Sequence, residues 1–454
     1  MEVLSDTRPT VGSEVELVIE RLAHGGAGVA RTGGRYVVFV DGVVPGDRVR
    51  AAVWRRRRAY ANARVVELIE AGPDRVAARA DHPGAPWQVL RYERQLEVKR
   101  ELVDDALRRI GRLDGFELEP IVAAAEQWRY RNKLEYSFGR DEDGGLACGF
   151  HAPGSWEHIE PVADCLLASE PGNQMRETVF AWCRAQGLEP FDRRTHSGQL
   201  RNVVVREGRR TGQIQVRLVT AGEGKLDTDS LAAAVRCDGL LWTRVDAAAG
   251  GAAGGVTELV AGSERLEERI GELTIEISPL SFWQTNTEMA ERLYEIVVRD
   301  AALRGFERVF DLFCGIGSIG LTLATRAGEV LGLELVAEAV ADATRNAARN
   351  EVTNARFEAG DVRRALRDVT AAAGRPDVIV VDPPRAGLSA KILRRIVEAA
   401  PKRIVYVSCN PTTLAPNAAA LVEAGFALRR VTPVDLFPQT PHIECVALLE
   451  RSGS

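Results

Sequence analysis

The sequence predicts an α/β protein in three parts: a small N-terminal β-barrel, a β-rich central region and a C-terminal doubly wound, mostly parallel sheet. Three observations predict it. After Phe282, long apolar strand runs alternate with helical segments, the pattern of a sheet covered on both faces. One of these runs leads straight into Gly315-Ile316-Gly317-Ser318-Ile319-Gly320, a G-x-G-x-x-G with a helix following. Between about 11 and 70, short strand-like runs are separated by glycines, as a small barrel requires. With 454 residues, 45% of them hydrophobic, the chain suits two to four domains at roughly 150 residues each. The expected boundaries are 8–70 for the barrel, 71–112 for a linker with a helix, 113–278 for the central domain and 279–454 for the doubly wound domain.

In the barrel, EVELVIERL, YVVFVDGVVPGDRVRAAV and ARVVELIE read as strands, and WRRRRAYANAR sets Arg55, Arg56, Arg57 and Arg58 beside Trp54 and Tyr60. Phosphates and bases could use both the charge and the rings. A barrel edge blunted by charge would look the same. In the linker, Gln95 to Gly111 places Leu96, Val103, Leu107 and Ile110 on one helical side and charges on the other. The central region holds a hairpin signal, LRNVVVREGRRTGQIQVRLVT. It also holds a second basic run, with Arg129, Arg131 and Lys133 among Trp128, Tyr130 and Tyr136, which equally suits a strand with one charged face. The Ala/Gly-rich stretch from Asp246 to Gly262 predicts a flexible loop. Beyond it, strands are expected at RVFDLFC, EVLGLEL, ARFEAGD, DVIVVDPP, RIVYVSCN and ECVALLE.

The formal charge of −5 excludes nucleic-acid binding by bulk basicity, so a polyanion partner would need a local patch. Seven scattered cysteines without a C-x-x-C pair suit neither a disulfide scaffold nor a structural zinc site, and point to reduced thiols in the cytoplasm. The N-terminus lacks a signal-peptide pattern and no apolar run reaches 18 residues, so neither export nor a membrane span is expected.

Four motifs carry chemistry. The glycine loop lets backbone approach a ligand at a helix N-terminus, and the next strand ends in Glu334, placed to grip a ribose diol. To this point a nicotinamide site and an S-adenosylmethionine site look alike. Asp382-Pro383-Pro384-Arg385 forms a rigid loop at the carboxyl edge of the sheet. It lacks the aromatic that follows Pro-Pro in adenine-N-methylating enzymes and the cysteine found there in cytosine-5 RNA methylases. Cys409, in VSCNP, ends an apolar strand at the same edge; as a free thiol it would be about 3% thiolate at pH 7. Glu444 opens the last strand, where burial would raise its pKa toward a useful range for a base. His442 has no second ligand at metal-binding spacing, so no metal site is expected.

Taken in order, FWQTN, FDLFCGIGSIG, VDPPRAGL, VSCNPTTL and DLFPQTPHIE resemble the RNA uracil-5-methyltransferases that carry an N-terminal TRAM domain, and the resemblance spans nearly the whole chain. It implies an OB-like TRAM barrel, a Rossmann-like methyltransferase domain and a structured RNA partner, tRNA or rRNA. It also implies an S-adenosylmethionine site formed by Gln284, Phe313, Ser318, Glu334, Asp361 and Asp382, with Cys409 as nucleophile and Glu444 as base. Ser318 stands where many relatives have asparagine. Relatives with an iron-sulfur cluster have three closely spaced cysteines before the linker helix; here DHPGAPWQVLRYERQ has none, and only Cys165 matches the fourth. One thiolate cannot hold a cubane cluster, so none is expected. The rival readings are a nucleotide-dependent oxidoreductase and an RNA-binding protein with an inactive methyltransferase domain. A monomer is the default.

Overall fold

The computed structural model describes residues 8–33, 36–152, 158–222, 224–246 and 255–452. Six strands form the N-terminal sheet: β1 (Glu14–Val18), β2 (Arg21–Leu22), β3 (Gly28–Arg31), β4 (Val37–Asp41), β5 (Arg48–Arg56) and β6 (Tyr60–Glu70). Their order is β1-β5-β6-β4-β3-β2. Because β1 and β2 are consecutive yet lie at opposite ends of that order, the bend between them closes the sheet into a barrel. Leu17, Val38, Val40, Val49, Ala51 and Ala63 fill the inside. Gly28 is required there, since a Cβ would sit 2.2 Å from the Val43 side chain.

Helix α1 (Tyr92–Asp105) continues into a single π-helical turn over Ala106–Ile110. Val103 and Leu107 are buried as the periodicity predicts, but Ile110 is 52% exposed. The wide turn, closed by Gly111 N–H on the Ala106 carbonyl at 3.0 Å, adds a residue and rotates Ile110 off the buried face. A second departure matters more: Gln95 and Lys99 lie on the buried side.

Short β7 (Glu117–Leu118) precedes the central sheet, built from β8 (Lys133–Arg140), β9 (Leu146–His151), β10 (Ile159–Pro161), β11 (Leu200–Glu207), β12 (Ile214–Ala221), β13 (Gly239–Val245) and β14 (Val256–Gly262). The order is β10-β9-β8-β11-β12-β13-β14, and β11 and β12 form the predicted hairpin. Helices α2 (Glu170–Ala185) and α3 (Thr228–Ala234) bury Val179, Trp182, Cys183 and Leu231 against Tyr136, Val203 and Leu218. The expected loop is corrected in part. Val256–Gly262, with its β-branched residues, is an edge strand on β13, whereas 247–254 fall outside the described residues.

The hairpin of β15 (Leu266–Ile270) and β16 (Leu273–Ile277) packs its Ile275 and Ile277 into the core of the C-terminal domain. That domain comprises α4 (Thr287–Ala301), β17 (Arg308–Leu312), α5 (Ser318–Ala324), β18 (Glu329–Glu334), α6 (Ala337–Arg349), β19 (Ala355–Ala359), α7 (Val362–Ala373), β20 (Val378–Val381), α8 (Ala390–Ala399), β21 (Arg403–Ser408), α9 (Pro411–Glu423), β22 (Phe426–Val434) and β23 (Glu444–Arg451). The sheet order is β19-β18-β17-β20-β21-β23-β22-β7, parallel through β21, with β23 antiparallel. Two apolar layers, one on each face, bury it as a doubly wound sheet requires. Among the described residues, no helix is long and apolar enough to cross a membrane.

Candidate active site

Strand pairing brings four motifs to one sheet edge. β17, β20 and β21 are parallel neighbours ending at Leu312, Val381 and Ser408, and the antiparallel β23 begins there with Glu444. Open α/β sheets bind ligands at such an edge.

On the β17 side the chain turns sharply. Phe313 holds φ at 64°, uncommon for an aromatic residue, and Gly315 and Gly317 lie at 53° and 85°. A Cβ on Gly320 would meet Asp311 Oδ2 at 2.9 Å, so the third glycine lets α5 lie against that carboxylate. The resulting pocket is lined by Gln284, Phe313, Ser318 and Asp382, four of the residues expected to hold a donor, together with Phe282 and Asp311. Ser318 Oγ shares a hydrogen bond with Tyr294 at 2.9 Å. Glu334 stands beside the loop: its Oε2 accepts from Gly315 N–H at 3.1 Å, and its Oε1 from Leu335 and Val336 N–H at 2.7 and 2.9 Å. Asp361 follows β19 and, like Glu334, stands outside the pocket lining. It caps α7 through Arg363 N–H at 2.9 Å and pairs with the Arg363 guanidinium at 2.6 Å, which holds its carboxyl down at about 2.

Asp311 was not singled out by the sequence motifs. It is 1% exposed, and neither carboxylate oxygen has a hydrogen-bond partner. Burial, reinforced by Asp382, pushes it up to about 8, and burial pushes Asp382 up to about 7. A buried, unpartnered carboxyl is costly unless a cation joins it. The signal available in the sequence was an acid inside the apolar run FDLF, just before the glycine loop.

The segment carrying Phe282 and Gln284 is held from the central domain. Arg206, on β11, donates to the Ser278 and Ser281 carbonyls at 3.1 and 2.8 Å, while the hydroxyls of those serines donate to buried Asp342 of α6 at 2.7 and 2.6 Å. Asn132 donates to the Gln284 carbonyl and to Thr287 Oγ1, both at 2.9 Å. These anchors carried no motif in the sequence.

Cys409 directly follows β21, and the register Ser408↔Cys445 sets it across from Glu444. Of the seven free cysteines five are buried; only Cys409 and Cys237 are part-exposed. Burial, then the charges of Glu444 and Asp382, push the Cys409 thiol up to about 11, against an opposing pull from Arg385. The thiolate share at pH 7 is therefore on the order of 10⁻⁴, well under that of an unperturbed cysteine. Glu444 is 3% exposed, and burial followed by Asp382 raises its carboxyl well above the ordinary range.

The loop from Asp435 to Ile443, which delivers Glu444, hangs on α1. Lys99 Nζ donates to Asp435 Oδ1 at 2.6 Å and to the Phe437 carbonyl at 3.0 Å, with both charged side chains inaccessible. Tyr92 donates to Asp435 Oδ2 at 2.8 Å. Gln95 donates to Gln439 Oε1 at 2.8 Å and accepts from its N–H at 3.0 Å. Arg385 donates to His442 Nδ1 at 3.2 Å; burial, then Arg385, pull that imidazole down to about 4, so it is a neutral acceptor.

The basic residues fall into distinct settings. Arg55, Arg56, Arg57 and Arg58 are exposed around the β5–β6 turn, with Trp54 46% exposed beside them. Arg131 lies 5.9 Å from the Phe437 ring, close to the delivering loop. Lys133 is half-buried and drawn down to about 8 by burial and then Arg206. Arg129 is committed to Asp164 at 2.7 Å and to the Ala168 carbonyl at 3.0 Å. Cys165 meets His82 Nε2 at 3.2 Å, and Phe150 packs between the His82 and Tyr136 rings. One thiol and one imidazole do not fit a four-thiolate cluster, and among the described residues no group of three or more potential metal ligands occurs.

Comparison with known proteins agrees with this geometry. Residues 263–452 match the tRNA (Uracil-5-)-methyltransferase family model and residues 8–66 match the TRAM domain. A protein of Halalkalibacterium halodurans, named as an uncharacterized RNA methyltransferase, is 38% identical over 96% of each chain. One from Chlorobaculum tepidum, similarly named, is 35% identical over 97% of each. The crystal structure of Pyrococcus abyssi tRNA (uracil-54, C5)-methyltransferase, in complex with S-adenosyl-L-homocysteine, is 27% identical with a TM-score of 0.78, covering 96% of this chain and 100% of that one. The chain thus belongs to the TRAM-containing RNA (uracil-5-)-methyltransferase family.

Proposed function

We propose that this enzyme methylates carbon 5 of a uridine in a structured tRNA or rRNA through a transient bond between Cys409 and carbon 6. The observation that carries this reading is the meeting, at one sheet edge, of a part-exposed thiol and a buried carboxyl on paired strands, next to the glycine-loop pocket. S-adenosylmethionine supplies an electrophilic methyl group when bound. Gln284, Phe313, Ser318, Glu334 and Asp382 would hold it, the buried Asp311 carboxyl would suit its positive charge, and Asp361, just after β19, does not line the pocket. The complex of the Pyrococcus abyssi enzyme with S-adenosyl-L-homocysteine supports S-adenosylmethionine as the donor.

Carbon 5 of uracil is a poor nucleophile. Addition of the Cys409 sulfur to carbon 6 converts the ring to an enolate, while the thiol proton passes to Asp382, leaving Glu444 unprotonated for the later step. Burial raises the proton affinity of Asp382, which suits it to accept that proton. Carbon 5 then takes the methyl group, held close by the pocket. Glu444 removes the remaining carbon 5 proton, the sulfur–carbon 6 bond breaks, and Cys409 leaves and recovers a proton. A stacked base cannot reach this edge, so the uridine is flipped out or lies in a loop. Arg55 to Arg58 and Arg131 would meet its RNA, with half-buried Lys133 a further candidate, while Arg129 is paired with Asp164. Action as a monomer is part of this reading, as is a cytoplasmic location, which seven free thiols suit.

The test is transfer of labelled methyl groups from S-adenosylmethionine to RNA from cells lacking this protein, followed by nucleoside mass mapping. Label in 5-methyluridine is expected, and the map assigns the RNA and the site. RNA binding without transfer, or a nicotinamide-dependent absorbance change instead, would contradict the reading.

A further inference from the structure

His442 stands two residues before Glu444 on the delivering loop, and Arg385 stands three residues after Asp382, past the two prolines. Arg385 is tied to the loop of the thiol. Its carbonyl accepts from the Asn410 side-chain amide and from Thr413 Oγ1, both at 3.3 Å, and Asn410 directly follows Cys409. Its guanidinium reaches the other loop and donates to His442 Nδ1 at 3.2 Å. Both Cys409 and Glu444 feel the charge of Arg385, which opposes the rise in their proton affinities. The Arg385–His442 contact therefore bridges the segments that carry the thiol and the base.

That contact fixes the state of the imidazole. An arginine only donates, so Nδ1 is the unprotonated nitrogen and the proton of the neutral ring sits on Nε2. A second proton is disfavoured by burial, then by Arg385, Arg131, Lys99 and His24. Phe437 packs edge-on against the ring, with centroids 5.8 Å apart. His442 thus presents a neutral N–H donor, two residues from the carboxyl that removes the carbon 5 proton.

The reaction needs a donor there. When the Cys409 sulfur bonds to carbon 6, the electron pair of the carbon 5–carbon 6 double bond moves between carbons 5 and 4, and that of the carbon 4 carbonyl moves onto its oxygen, O4. This negative charge develops at an edge that already holds the carboxyls of Asp311, Asp382 and Glu444. A fixed N–H donor stabilises it without the reorganisation that water requires. Carbon 4 adjoins carbon 5, so a base with carbon 6 at Cys409 and carbon 5 at Glu444 carries O4 toward the delivering loop.

Resting on the reading that a uridine is methylated through Cys409, we propose that His442 is a further catalytic residue, an oxyanion site whose Nε2–H donates to O4 of the target uracil, with Arg385 positioning it. No proton is transferred at O4. The hydrogen bond strengthens as charge forms and relaxes when Cys409 leaves. The same donor selects the base: cytosine carries an amino group at that position, and two donors facing each other would both go unpaired.

The experiment compares full-length wild type, His442→Phe and His442→Gln on the RNA identified by methyl transfer, prepared with uridine, 4-thiouridine or 2-thiouridine at the target. Sulfur is a weak acceptor, so 4-thiouridine removes the proposed contact, whereas 2-thiouridine alters the other carbonyl. On the uridine RNA, His442→Phe is expected to lower single-turnover methyl transfer by about 10²–10³-fold, as loss of one oxyanion donor does, with RNA and S-adenosylhomocysteine affinities close to wild type. His442→Gln keeps an N–H donor and should recover much of the rate. On 4-thiouridine RNA the ratio of wild type to His442→Phe should collapse toward one, and on 2-thiouridine RNA it should stay as on uridine. Equal ratios on all three RNAs, or a loss in RNA affinity in place of transfer, would overturn the O4 contact. Wild type alone gives an independent reading that does not need the variants to fold: transfer to 4-thiouridine RNA as fast as to 2-thiouridine RNA would also overturn it. Absence of transfer by wild type to the uridine RNA, or transfer unaffected by Cys409→Ala, would instead overturn the reading beneath it.

Discussion

The glycine loop on the donor side and the Glu444 loop on the acceptor side of the active site are supported in opposite ways. The glycine loop and β17 are set by apolar strands packed on both faces and by backbone conformations that glycine permits. The loop that delivers Glu444 is instead suspended from α1 by Lys99, Tyr92 and Gln95, polar groups with no access to water in the case of the Lys99–Asp435 pair. One half is a packed edge; the other is a polar hinge point that fails if one partner is removed. The difference gives the donor pocket tolerance to single changes and the acceptor loop very little.

The comparison is broken most completely at the nucleophile. Cys409→Ala should lower single-turnover methyl transfer by on the order of 10⁴-fold or more, as loss of a covalent nucleophile does, while S-adenosylhomocysteine binding by calorimetry stays near wild type. If the donor affinity fell in parallel, the two halves would not be separable.

Next in size is the support. Lys99→Met leaves Asp435 buried without its counter-charge and should cost about 3–5 kcal/mol, read as a fall in denaturation midpoint. Adding Asp435→Leu should restore much of it. On the donor side, Ser281→Ala removes one hydrogen bond to Asp342 and should cost only about 1 kcal/mol, appearing chiefly as a raised KM for S-adenosylmethionine. Equal costs on both sides would erase the contrast.

The smallest effect is a pH dependence. Burial raises Asp311 to about 8 and Asp382 to about 7, so the folded state holds protons that unfolding would release near neutrality. Their contribution to stability is present below the ordinary carboxyl range near pH 4 and is lost as pH rises through about 7 to 8. The melting temperature of the donor-free enzyme should therefore fall between pH 6 and pH 9, less steeply in Asp311→Asn. A cationic donor should bind more tightly as pH rises through that window. A melting temperature that rose across it would contradict the assignment.

The same contrast explains what could be read from the sequence. The glycine loop, Glu334, Asp382, Cys409 and Glu444 sit at strand ends, and a strand followed by a punctuated loop is a local pattern. Asp311 was hidden because an acid within an apolar run looks like an interruption. Lys99 and Gln95 were hidden because they meet Asp435 and Gln439 from 336 and 344 residues away, and a charged residue on a helix reads as solvent-facing. The π turn that exposes Ile110 has no signature in the hydrophobic period. Asp361, which only the resemblance implied, follows the end of β19, yet its carboxylate is taken by Arg363 at 2.6 Å.

The most direct measurement uses Glu444→Gln, incubated with S-adenosylmethionine and substrate RNA, then denatured, digested and sequenced by mass spectrometry. With proton removal blocked, a methylated uridine joined at carbon 6 to the Cys409 sulfur should accumulate. Recovery of the adduct on another cysteine, or normal 5-methyluridine production by Cys409→Ala, would contradict the account.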